Sequence, residues 1–115
     1  METKFITKEM DWVEGNVKNY FNKPLLSVDN GAIKLVKIGP DTAFPVHHHR
    51  DKTESVYILS GNPTLYIDSV EYNANPDEFY VFPLGIDHAI RNNTNSDCVL
   101  IVNAIKNKNE LNENH

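Results

Sequence analysis

The chain has 115 residues, 40% of them hydrophobic and 23% charged, with a formal net charge of -5. This is enough chain for one globular core and too little for two, and its composition is not that of a disordered segment. The acidic balance argues against nucleic acid or anionic membrane as partners, and no apolar run approaches the roughly 20 residues that span a bilayer.

In chain order, "METKFITKEMDW" mixes charge with single apolar residues and lacks the apolar segment of a secretion signal, which points to a cytoplasmic location. Only the stretch from Thr7 to Tyr20 could hold a helical turn or two, with Thr7 as the cap. Residues 1–23 are therefore read as an N-terminal arm. From there the pattern is that of short strands. "PLLSV" and "AIKLVKI" flank Asp29-Asn30-Gly31, a hairpin signal because Asn and Gly accept positive φ. "GPDTAFP" reads as a loop, "ESVYILS" as a strand stopped by Gly61-Asn62-Pro63, and "TLYID" as a strand with alternating polarity. "YNANPDE" is a turn cluster, "FYVF" a strand ended by Pro83, "HAIRN" a short strand and "NNTNSD" a loop. "CVLIVNAI" closes the series, with Cys98 read as a small buried hydrophobe. A single cysteine excludes an internal disulfide and fits a reducing compartment. Many short strands at regular spacing predict an all-β, antiparallel double-sheet barrel over residues 24–105, followed by a loose polar tail at 106–115.

The stretch "PVHHHRDKTESVYILSG" carries the chemistry. Side chains alternate along a strand, so His47 and His49 share one face and His48 takes the other. Glu54 heads the next strand, and His88 heads "HAIRN" after a tight Pro-Gly turn. Two imidazoles at i and i+2, a carboxylate and a distant imidazole make a three-nitrogen, one-oxygen donor set. That set suits a divalent transition metal and leaves room for water or substrate.

These residues resemble the two signatures of the cupins. The first has His-x-His, Glu and Gly, met here by His47, His49, Glu54 and Gly61; the second has Pro-x-Gly, His and Asn, met by Pro83, Gly85, His88 and Asn92. Asp77 stands where the second signature usually opens with glycine, and the gap from Gly39 to His47 is long, both matters of turn geometry. The resemblance implies a double-stranded β-helix, or jelly-roll barrel, with His47, His49, Glu54 and His88 as metal ligands. Gly61 and Gly85 are read as turn residues, and Asn92 as a tie for a loop. The metal could be Fe, Mn, Ni, Co, Cu or Zn.

"YILSGNPTLYID" and "VFPLGIDHAIRN" are further similar to the cupin domain of phosphomannose isomerases. A phosphosugar needs cations, preferably Arg, and alternation turns Arg91 away from the metal face while Arg50 lies in a connecting loop. The expected substrate is therefore neutral or modestly polar. The expected function is a mononuclear metal-dependent enzyme of oxygenase or isomerase type, with a non-catalytic, metal-dependent ligand-binding or sensing module as the alternative. Tyr57, Tyr66 and Tyr80 are the candidate acid–base groups. Open sheet edges and the apolar closing strand predict a homodimer, with Met10, Trp12, Val13 and Phe21 of the arm packing across it.

Overall fold

The computed structural model describes residues 1–107, and these form ten strands: β1 (Val13–Glu14), β2 (Tyr20–Val28), β3 (Gly31–Ile38), β4 (Thr42–His47), β5 (Lys52–Ser60), β6 (Thr64–Ile67), β7 (Val70–Asn73), β8 (Phe79–Phe82), β9 (His88–Asn92) and β10 (Cys98–Lys106). They make a six-stranded sheet in the order β1-β2-β3-β10-β5-β8 and a four-stranded sheet in the order β4-β9-β6-β7. Every pairing is antiparallel. The expected jelly-roll barrel is thus the fold. The expected tail lies outside the described residues from position 108 onward.

The alternation read in the sequence decides which side of each strand is buried. Val36 and Ile38 of β3, Val56 and Ile58 of β5, Leu65 of β6 and Leu100 of β10 are all 0% exposed, and they form one apolar cluster with Phe82 and Ile90. Burying each such side chain contributes about 1.5–3 kcal/mol.

Several local expectations change. The helical content of the arm is a single 3₁₀ turn at Thr7–Glu9, whose N-cap is Ile6 with no side-chain cap bond, so Thr7 caps nothing. Within the chain, Lys23 Nζ of β2 donates to the Thr7 carbonyl at 2.7 Å and lies 4.4 Å from the Trp12 ring centre. "GPDTAFP" is not all loop, because Thr42 begins β4. Val70–Asn73, partly read as a turn cluster, is a strand paired with β6. The turn before it, Asp68-Ser69, has positive φ at both residues (52° and 68°), the backbone of a tight hairpin without any glycine. At Asp29-Asn30 the hairpin forms as expected, with Val28 opposite Gly31, but neither turn residue is among those with positive φ.

The two signature glycines differ in what they require. Gly61 has φ +85°, and a Cβ there would lie 2.7 Å from Cys98 Sγ and 2.8 Å from the Asp97 carbonyl oxygen. Gly85 has φ +74° with nothing within 4 Å of such a Cβ. Gly85→Ala should therefore cost about 1–2 kcal/mol, the left-handed penalty alone. Gly61→Ala adds a clash with backbone and should cost roughly 3 kcal/mol or more. Urea unfolding of both variants measures the difference; equal costs would mean that the β5–β6 turn relaxes freely. Asp77, in the place of the family's glycine, also has positive φ (72°), a conformation Asp tolerates, so the departure in sequence preserves the turn.

Candidate metal centre

His47 ends β4, and β4 reaches it through a bulge. Phe44 pairs with Ile90 and His47 with His88, so three steps on β4 match two on β9. The extra residue falls at Pro45-Val46, where Pro45 has no N–H to offer the ladder. The bulge turns both Phe44 and His47 into the barrel, and normal alternation then places His49 inside and His48 outside. His49 lies beyond the end of β4, where the Gly85 N–H donates to its carbonyl at 2.7 Å. The Pro83-Leu84-Gly85 turn thus braces the second inward histidine. Glu54 lies on β5 opposite Phe82 of β8, and His88 begins β9.

One ligand atom from each of His47, His49, Glu54 and His88 lies within 4.8 Å of the others. Two donors on opposite sides of an ion at about 2.1 Å are about 4.2 Å apart, so closure on a metal asks only a few tenths of an ångström of each side chain. The tautomers are set from behind. His47 Nδ1 is 2.9 Å from the Pro45 carbonyl and His88 Nδ1 is 3.3 Å from the Ile86 carbonyl. Both can only accept, so each Nδ1 carries the proton and each Nε2 keeps a lone pair.

His88 is 2% exposed, and its Nε2 is buried without a hydrogen-bond partner. It approaches Glu54 Oε1 at 3.4 Å, out of hydrogen-bond geometry, while His49 Nε2 approaches the same oxygen at 3.1 Å. Phe82 stacks on the His88 ring at 4.2 Å and fixes its plane. A buried, orphaned nitrogen aimed at other donors suits a bound cation. Burial works against ionisation of Glu54, yet the approach of His88 and the charges of His49 and Lys52 hold its carboxyl below the ordinary value. Burial pushes His49 down, partly opposed by Glu54. Both shifts favour the forms that bind metal, an anionic carboxylate and a neutral imidazole.

His48 turns outward and pairs with Asp87 at 3.0 Å in an exposed position. Of the candidate acid–base groups, Tyr57 donates to Asp77 at 2.9 Å, Tyr80 donates to Glu78 at 2.6 Å, and Tyr66 lies under Arg91 at 5.4 Å. None of the three lines the cavity beside the metal cluster, which corrects that expectation.

The cavity has a volume of about 220 Å³, and its polar lining beyond the four donors consists of Tyr20, Lys34 and Lys52. Sequence reasoning passed over all three. Alternation backwards from Ile38 and Ile58 would have placed Lys34 and Lys52 inside; Tyr20 lay in a segment read as arm. Burial, and then Glu54, raise the Tyr20 hydroxyl well above the ordinary phenol range. Burial lowers Lys34, against the pull of Glu54.

The family model described as "Cupin domain" matches residues 34–103. KdgF from Halomonas sp. has a TM-score of 0.83 at 16% identity, over 96% of this chain and 99% of that one. A Thermotoga maritima protein provisionally described as an oxalate decarboxylase has a TM-score of 0.84 at 18% identity, over 91% of this chain and 100% of that one. An Acidithiobacillus ferrooxidans protein provisionally described as a sugar phosphate isomerase has a TM-score of 0.69 at 29% identity, over 77% of this chain and 60% of that one. No curated protein matches the chain. The first two likenesses are likenesses of fold, which hosts many chemistries.

Proposed function

Because the chain belongs to the cupin domain family, we propose that it is a mononuclear metal-dependent enzyme acting on a small molecule, by oxygenase or isomerase chemistry. His47, His49, Glu54 and His88 would hold a divalent transition metal. The observation that carries the reading is the buried, unpartnered Nε2 of His88, converging with three further donors. A metal held by three imidazoles and one carboxylate keeps positions open and supplies Lewis acidity to a substrate oxygen.

The chain's own residues supply the rest. Phe44, Val56, Phe82, Ile90 and Val102 line the cavity with apolar surface. The Tyr20 phenol, held protonated by burial, is a hydrogen-bond donor for an oxygen of a bound molecule. A titratable group beside the donors favours an enzyme over a simple binding module.

Elemental analysis of protein purified without an affinity column, followed by reconstitution with Fe, Mn, Ni, Co, Cu and Zn singly, tests the centre. Near-stoichiometric uptake of at least one metal is expected; uptake far below stoichiometry with every metal would overturn it. Under turnover, Tyr20→Phe should keep its metal and lose roughly 100-fold in kcat.

The reading includes a homodimer. Leu26, Val28 and Ile105 are exposed apolar residues bordering one groove of the larger sheet, a face suited to a second copy. Analytical ultracentrifugation at micromolar concentration should give twice the chain mass.

A further inference from the structure

The cavity carries the opposite charge balance from the molecule around it. The chain has 16 acidic residues against 11 Lys and Arg, yet the cavity is lined by Lys34, Lys52 and a single carboxylate, Glu54. Lys34 shares the inward face of β3 with Val36 and Ile38, both 0% exposed. Lys52 stands two residues before Glu54 on the inward face of β5. Lys34 feels the attraction of Glu54 and, less strongly, the repulsion of Lys52. Neither is ion-paired among the described residues.

Lys23 shows what a structural lysine looks like in this protein. It is 6% exposed, its Nζ donates to the Thr7 carbonyl, and an aromatic ring covers it. Lys34 and Lys52 have no such partners and face the space beside the metal donors. Two unpaired cations sharing one small cavity are unfavourable, and a metal ion would add to that charge. An anionic ligand removes the imbalance.

We infer that the cavity takes a small organic acid, with one carboxylate held by Lys34 and Lys52 and the other end directed at the metal centre. This rests on the metal reading above. It replaces the neutral substrate expected from the placement of Arg50 and Arg91, because the cations that matter are lysines. Two ammonium groups match the two oxygens of a carboxylate. Lysines also meet phosphates as point charges, usually together with Arg forks or a helix N-terminus. Neither arginine lines the cavity, and no α-helix is present among the described residues. The volume of about 220 Å³ suits a small acid.

Calorimetric titration of manganese-loaded protein with succinate, with its neutral analogue succinamide and with glycerol phosphate tests the assignment. Succinate should bind, more weakly as salt rises, and succinamide should not. Lys34→Met and Lys52→Met, which keep the apolar stem, should each weaken succinate about tenfold or more while metal content stays at wild type. Lys34→Met should melt no lower than wild type, since an unpaired charge leaves a partly buried site. Succinate and succinamide binding alike, or both variants binding as wild type, would overturn the subsite. Glycerol phosphate binding more tightly than succinate through the same lysines would overturn the choice of carboxylate. Metal analysis of the same samples separates the two readings: protein that takes no metal defeats the centre, and metal-loaded protein indifferent to succinate defeats the subsite.

Discussion

Alanine at His47, His49, Glu54 or His88 should each strip the protein of metal, whereas alanine at His48 should leave metal content unchanged. The five positions test one geometric claim. After the bulge at Pro45-Val46, alternation sends His47 and His49 into the barrel and His48 toward Asp87 in solvent. Loss of one donor from four removes a bond and leaves the others misdirected. The effect should exceed the roughly 10–100-fold that follows loss of a mere outer partner of a ligand. His88→Ala should be the most severe, because its ring is 2% exposed and stacked on Phe82, so no water replaces it easily. His48→Ala removes an exposed pair and should change stability by less than about 1 kcal/mol. Metal analysis and metal-dependent thermal shifts on the five variants give the answer. Loss of metal in His48→Ala with retention in His47→Ala would show that the bulge lies one residue later.

Asn92→Ala should be strongly destabilising, by about 3 kcal/mol or more. Asn92 is 0% exposed, and its Nδ2 donates to the carbonyls of Ile38, Gly39 and Ser96 at 2.9, 3.0 and 2.8 Å. Its Oδ1 accepts from the Thr94 N–H and hydroxyl at 3.0 and 2.6 Å. One side chain thus ties the end of β3 to the β9–β10 loop, across both sheets. Removing it takes this donor from the carbonyls of buried Ile38 and Gly39, at about 1–3 kcal/mol for each group left unsatisfied. The Ser96 carbonyl, on an exposed residue, still accepts from the Thr94 hydroxyl at 3.0 Å. The expected fall in melting temperature is roughly 10 °C or more, with metal content retained by the fraction that stays folded. A loss of metal with no loss of stability would give Asn92 a direct role at the site instead. The expectation that this residue secures a loop is what the hydrogen bonds describe.

What could be read from the residues alone is what short-range rules control. Strand period two divides His47 and His49 from His48, and turn residues punctuate the chain at Gly61-Asn62-Pro63 and Pro83-Leu84-Gly85. These features, together with the spacing of the two signatures, named the fold and the four residues that the structure brings together. Each depends on neighbours a few positions away. What lay beyond reach depended on contacts between segments far apart in sequence. "GPDTAFP" reads as a loop, yet β4 begins at Thr42 within it, and its pairing with β9 tolerates Pro45 through a bulge. β7 carries no turn signal before it, because Asp68 and Ser69 hold left-handed backbone without glycine, a cost borne by the pairing of β6 with β7. Tyr20, Lys34 and Lys52 stand on three different strands, and only closure of one sheet over the other brings them to the metal donors. Local chemistry determined which residues could hold a metal; the packing of two sheets determined what surrounds them, because which faces meet is settled by long-range pairing and burial.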